Sequence, residues 1–142
     1  MMKLTNNTLS NYEVDELNSL TDEQIKEKVV EGNSMLTSVI MNRKSLDPEE
    51  LFNEFQKEID HINSVDEEKM TVFFRTFYDR VFDIMGIEKD TRSEAIEMVA
   101  ASYDILAEET DLYFSVYPTL QRIPENTSEA MTKLARAMRA AA

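Results

Sequence analysis

Residues 66–86 read DEEKMTVFFRTFYDRVFDIMG, and this stretch decides the fold. Its large apolar side chains recur every three or four positions, which is the period of one face of an α-helix. These side chains are Met70, Phe73, Phe74, Phe77, Val81, Ile84 and Met85. Asp66 can cap the first turn, and Gly86 stands where a left-handed C-cap is expected. We therefore predict a central helix whose aromatic side chains pack in the core, the alternative being a ligand pocket lined by these rings.

Helix start and stop signals recur on both sides of this segment. Thr21 and Gln24 have the spacing of a capping box. Asp47-Pro48 places a capping side chain before a proline at the first helical position. Pro118 is expected to end the helix that precedes it in the sequence. These signals predict helices over residues 21–43, 48–63, 65–85, 92–117 and 127–140.

The scarcity of turn residues argues against β-structure. The chain has 2 glycines and 3 prolines, and it has no Asn-Gly or Asp-Gly pair of the kind that forms tight hairpins. The fold class predicted is all-α, a compact bundle of about five helices. Residues 1–12 are polar and are predicted to form a flexible arm, while residues 13–142 form a single helical domain.

The fourth predicted helix has an apolar face and an acidic face. Seven residues share the apolar face and are expected to be buried: Ile96, Val99, Ala100, Tyr103, Leu106, Ala107 and Phe114. The acidic residues fall in one sector on the opposite side.

Composition excludes several classes of protein. Cysteine is absent, so disulfides, thiolate nucleophiles, thiolate-ligated zinc and iron–sulfur sites are excluded. His61 is the single histidine, and its expected place is the rim of the protein. No run of 18 apolar residues and no basic-then-apolar leader occurs, which predicts a cytoplasmic protein with no membrane segment.

Negative charge dominates the chain, with 28 acidic residues against 15 basic ones and a net charge of -13. Such a surface repels nucleic-acid phosphates and attracts basic protein surfaces. The acids of the second predicted helix are taken as the partner-binding face: Glu49, Glu50, Glu54, Glu58 and Asp60. The simpler alternative is that acidic helices only keep the protein in solution.

The expected function is that of a non-enzymatic interaction protein. It would be an adaptor, assembly factor or inhibitor that docks on a basic surface of a larger protein or nucleoprotein complex, without binding nucleic acid itself. A virus-encoded source is an expectation by analogy alone. A second alternative is a structural protein that forms homo-oligomers through its long helices.

The last predicted helix is basic, with Lys133, Arg136 and Arg139 on one side and an apolar stripe on the other. We expect it to close the bundle against acidic neighbours, since its cations are favourable near a helix C-terminus. The alternative is a detachable helix that lies in the groove of a partner.

Glu94-x-x-Glu97 and Glu108-x-x-Asp111 form the only arrangement with catalytic potential. Clustered carboxylates can hold Mg²⁺, which activates water for phosphoanhydride cleavage. The pattern resembles the all-α nucleotide pyrophosphohydrolases, the phosphoribosyl-ATP pyrophosphatase and MazG-like group. That resemblance implies a Mg²⁺-dependent enzyme with phosphate contacts from Lys133 or Arg136. It requires a turn within residues 98–107, where the sequence has no glycine, proline or asparagine.

Overall fold

The computed structural model describes residues 12–30, 48–116 and 123–142, and the regular structure within those ranges is entirely helical. The helices in these ranges are α1 (Val14–Asn18), α2 (Asp22–Val30), α3 (Pro48–Ser64), α4 (Glu67–Met85), α5 (Lys89–Val116) and α6 (Thr127–Ala141). The all-α prediction is confirmed. The predicted arm over residues 1–11 and the second half of the first predicted helix, residues 31–43, lie outside the described residues.

Helix α4 occupies the centre of the core, as its sequence predicts. The Asp66 carboxylate accepts a hydrogen bond from the Glu68 amide at 2.9 Å, which caps the first turn. Gly86 ends the helix with φ 69°, and the Ile87 amide donates to the Phe82 carbonyl at 2.9 Å. Four phenylalanine side chains are buried in the core: Phe73, Phe74, Phe77 and Phe82. Phe73 contacts Phe74 and Phe77, and the Tyr78 ring links Phe77 to Phe82.

Tyr12 corrects the predicted arm, which had extended to residue 12. Its side chain is only 4% exposed and lies edge-on to Phe73 and Phe74, with ring centroids 5.3 and 5.7 Å apart. A single aromatic residue in a polar stretch has no periodicity, so the helix pattern did not reveal this contact. The chain therefore joins the core from Tyr12 onward.

The N-terminal helices α1 and α2 are held against α4. Leu17 and Ile25 are fully buried. Arg80 of α4 donates to the Leu17 carbonyl and to the Asp22 carboxylate, both at 2.9 Å. One guanidinium thus satisfies a carbonyl at the end of α1 and an acid at the start of α2.

The predicted capping box at the start of α2 is confirmed. The Gln24 side chain accepts from the Thr21 amide at 2.8 Å, and the Thr21 hydroxyl accepts from the Gln24 amide at 3.2 Å. Two backbone donors that a helix start leaves without partners are therefore satisfied by this local pair.

Helix α5 begins three residues earlier than predicted. The Thr91 hydroxyl donates to the Glu88 carbonyl at 2.9 Å within the first turn of this helix. Asn126, at the start of α6, takes a left-handed conformation with φ 67° and makes no side-chain cap bond.

Helix α6 packs against α3, α4 and α5 and closes the bundle. Its inward face consists of small and flexible apolar side chains, all of them buried. These are Ala130, Met131, Leu134, Ala135, Ala137, Met138 and Ala141. Alanine at four of these positions lets the helix backbone approach its three neighbours closely, so the expectation of a closing helix is confirmed.

Candidate interaction surface

The basic side chains of α6 are bound within the molecule. Lys133 donates to the Asn63 carbonyl at 3.1 Å and to the Val65 carbonyl, at the C-terminal end of α3 and just beyond it. Arg136 makes a forked ion pair with Glu67 at 2.7 Å. The Arg136 hydrogen bond lowers the pKa of the Glu67 carboxyl below its usual value.

Arg139 links α6 to α5 through two carboxylates. It donates to both oxygens of Glu97, each at 2.9 Å, and pairs with Asp104 at 2.6 Å. The pKa of Glu97 is lowered because the carboxylate accepts hydrogen bonds from Arg139. All three cations of α6 thus make contacts within the molecule, as expected of a helix that closes the bundle against acidic neighbours.

The acidic face of α3 is smaller than the sequence predicts. Glu49, Glu50 and Asp60 are exposed to solvent. Glu54 is only 26% exposed and pairs with Lys57 at 3.1 Å. The Asp60 carboxylate accepts from the Gln56 amide at 2.9 Å.

Glu58 is a correction to the predicted face, because its side chain is buried. The residue is 9% exposed, and burial raises its pKa to about 7, with a smaller contribution from the nearby Glu54 carboxylate. Burial raises the pKa of the Tyr12 hydroxyl, and the nearby Glu58 carboxylate contributes to that rise. Helical spacing places Glu58 one turn after Glu54 on the acidic side, but tertiary packing buries it, and spacing within one helix does not reveal that packing. Glu58 is therefore not available for docking.

The two acidic motifs of α5 do not converge. The helix runs without a break from Lys89 to Val116, so the turn required within residues 98–107 is absent from it. Glu97 and Glu108 are about 16 Å apart along a helix that rises 1.5 Å per residue, which is too far to share one ion. The alternative of a joint Mg²⁺ site, which needs the two motifs to face each other, is therefore not supported by this helix.

The proposed phosphate contacts do not support that enzyme either, because Lys133 and Arg136 bind backbone carbonyls and Glu67. Among the described residues, no group of three or more histidine, aspartate or glutamate side chains is placed to hold a metal ion.

Glu94, Glu108 and Asp111 are exposed on α5 and lie beside apolar side chains that the sequence analysis missed. Met98, Ile105 and Leu112 are 73%, 55% and 64% exposed, and we call these three residues the α5 stripe. They recur at intervals of seven, so they lie along one line of the helix. The spacing of seven is present in the sequence, but apolar residues on the other side of the same helix give an equally regular pattern.

Two residues expected in the core border the α5 stripe instead. Val99 is 44% exposed and Leu106 is 43% exposed. Ile96, Ala100 and Ala107 are buried as predicted. The helix therefore buries a narrow strip of small and branched side chains, and a second apolar strip faces solvent on the other side.

His61 lies at a rim position, as expected. It is half-buried and stacks on Tyr12, with ring centroids 6.3 Å apart. An open cleft borders it, lined in part by Glu13, Asp66 and Lys69. Lys69 of α4 pairs with Glu13 across this cleft. This ion pair links the N-terminal segment to α4.

Comparison with protein-family models, with curated proteins and with solved structures found no match to this chain. None of the helices in the described ranges has the length and apolar character needed to cross a bilayer. The candidate interaction surface consists of the exposed acids on α3 and α5 and of the α5 stripe.

Proposed function

We propose that this protein is a non-enzymatic interaction protein, an adaptor, assembly factor or inhibitor. It docks through its acidic exterior onto a basic surface of a larger protein or nucleoprotein complex, in the cytoplasm. The observation that carries the proposal is the internal use of the α6 cations. Because Arg136 and Arg139 are paired with Glu67, Glu97 and Asp104, the basic helix does not offset the acids exposed elsewhere.

The physical role of that charge is to steer and orient the partner. A field of one sign raises the rate at which an oppositely charged protein arrives, and it disfavours acidic partners. Glu49, Glu50 and Asp60 on α3 and Glu94, Glu108 and Asp111 on α5 contribute to it, since all six are exposed. Phosphate backbones are repelled by the same field, so a nucleoprotein complex is engaged through its protein component.

Affinity capture at low ionic strength, followed by mass spectrometry, tests the proposal. The wild-type protein is compared with the variant Glu49→Gln/Glu50→Gln/Asp60→Asn, which removes three exposed charges from α3 and keeps side-chain shape. We expect proteins with basic surfaces to be captured, to be released as salt is raised, and to be depleted with the variant. Capture of acidic or neutral proteins that persists at high salt, equally with both baits, would refute the proposal.

A further inference from the structure

We propose that the α5 stripe is the docking site for a basic amphipathic helix of a partner protein. The proposal rests on the proposed function, because it names the partner's chemistry at one part of the acidic exterior. Its starting point is exposure: Met98, Ile105 and Leu112 are each more than half exposed, at 73%, 55% and 64%. Large apolar side chains gathered along one line of a helix mark a protein interaction surface.

The spacing of the α5 stripe fits a helix as its occupant. Residues seven apart stay close to one line of a helix, so a second helix laid along α5 can contact all three side chains. Met98 and Leu112 are separated by about 21 Å along the axis, at 1.5 Å per residue, so an occupant of about 15 helical residues covers the stripe. Val99 and Leu106 are also part-exposed but lie about 100° around the helix, so they are not counted in this contact.

The charge beside the stripe requires a basic occupant. Residues 93–121 contain six acids and no lysine or arginine. Glu109 lies between Ile105 and Leu112, and Glu94, Glu108 and Asp111 lie along one edge, all four exposed. Lysine or arginine on the flanks of an incoming helix would pair with these carboxylates once its apolar face is in place.

The same charges argue against a second copy of this chain. Two α5 helices packed stripe to stripe would bring these four acids close to their own counterparts, and residues 93–121 supply no cation to offset them. Like charges placed together across an interface oppose association. A basic helix from a different protein satisfies both the apolar and the charged part of the surface.

The probe for a test is a synthetic peptide of about 15 leucine and lysine residues, arranged so that leucine recurs at helical spacing. A peptide of the same composition in scrambled order is the control. Fluorescence anisotropy gives the dissociation constant for the full-length protein. We expect the amphipathic peptide to bind at least 10-fold more tightly than the scrambled one, since only the former presents an apolar face.

Two protein variants locate the site. Met98→Gln/Ile105→Gln/Leu112→Gln removes the stripe and keeps good helix formers. Val72→Gln/Met85→Gln is the matched control, because these residues of α4 are 43% and 56% exposed and lie off the stripe. Neither variant changes the net charge. We expect the stripe variant to weaken binding of the amphipathic peptide at least 10-fold and the control variant to leave it within about 2-fold.

Other occupants give distinct results, each of which overturns this inference. A wild-type dimer that the stripe variant converts to a monomer assigns the surface to a second copy. A melting temperature that falls more in the stripe variant than in the control assigns it to another segment of the same chain. Equal binding by the stripe variant and the wild-type protein places the peptide elsewhere.

A further comparison separates this inference from the proposed function. The variant Glu94→Gln/Glu108→Gln/Asp111→Asn removes three charges beside the stripe, and Glu49→Gln/Glu50→Gln/Asp60→Asn removes three on α3. A larger loss of peptide binding in the first supports docking on α5. Equal, salt-sensitive losses in both refute docking on α5 and leave the acidic exterior as a general docking surface. If peptide binding is the same in both variants as in the wild type and does not change with salt, the proposed function itself is refuted.

Discussion

At the residue scale, burial changes the role of an acidic side chain. Glu58 was grouped with the exposed acids of α3 because helical spacing sets it one turn after Glu54. The structure buries it, and its pKa rises to about 7. A carboxyl group with a raised pKa binds its proton more tightly in the folded state than in the unfolded state. Glu58 therefore opposes folding where it is ionised.

Replacing Glu58 with glutamine is expected to stabilise the protein above pH 7. The folded-state pKa of about 7 lies above the ordinary glutamate value of 4.5. The stabilisation that protonation supplies to the wild type is thus complete below pH 4.5 and is lost as pH rises through 7. Glutamine cannot ionise, so the variant does not lose this stabilisation. The size of the pKa shift implies that Glu58→Gln raises the free energy of unfolding at pH 8 by up to about 3 kcal/mol and leaves it unchanged near pH 4.

Urea unfolding at several pH values measures this effect. Asp60→Asn is the matched control, because Asp60 lies on the same helix and is exposed. A Glu58→Gln variant whose stability differs from the wild type by the same amount at pH 4 and pH 8 would show that Glu58 titrates normally.

Gly86 gives a second test at this scale. Its φ of 69° lies in the left-handed region, and no atom lies within 4 Å of an added Cβ, so conformational strain is the only cost of a side chain. Gly86→Ala is expected to lower the free energy of unfolding by about 1 kcal/mol, and Gly86→Asn by less, because asparagine tolerates this conformation. Equal stability of the alanine variant and the wild type in urea unfolding would contradict the assigned C-cap.

At the element scale, the sequence predicts the helices better than it predicts which faces they bury. The central helix, the capping box at Thr21 and the closing role of α6 follow from local chemistry and apolar periodicity. Helix α5 differs because apolar residues lie on two of its sides. Periodicity alone cannot say that Ala100 and Ala107 face the core while Met98 and Ile105 face solvent. That choice is made by the close approach of α6, which favours alanine.

The packing of α6 predicts a large loss of stability for Leu134→Ala. Leu134 is 4% exposed on the inward face. Truncating a buried leucine to alanine costs about 2 to 4 kcal/mol through lost apolar contact and the cavity that remains. Glu129→Ala, on the exposed side of the same helix, is the control and should change stability little. Thermal or urea unfolding measures the stability of both variants. Equally small losses of stability would mean that α6 is not packed against the other helices in solution.

At the scale of the whole molecule, net charge is the property that the sequence shows most clearly. The structure adds which of the charged side chains pair with one another. The net charge of -13 and the positive charge of α6 can both be read from the sequence. The sequence does not show which cations pair within the molecule, because Arg139 contacts Glu97 and Asp104 only after α5 and α6 pack. The alternative metal site is not formed for a related reason. It needs Glu97 and Glu108 to face each other, and both lie on one unbroken helix.

The most direct measurement of the central claim is the rate constant for association with a captured partner, followed by stopped flow as ionic strength is raised from low to physiological values. Electrostatic steering predicts that this rate constant falls by about 10-fold or more. It also predicts a weaker salt dependence for the variant Glu49→Gln/Glu50→Gln/Asp60→Asn. An association rate constant that is the same at every ionic strength, in wild type and variant alike, would contradict a function based on the acidic exterior.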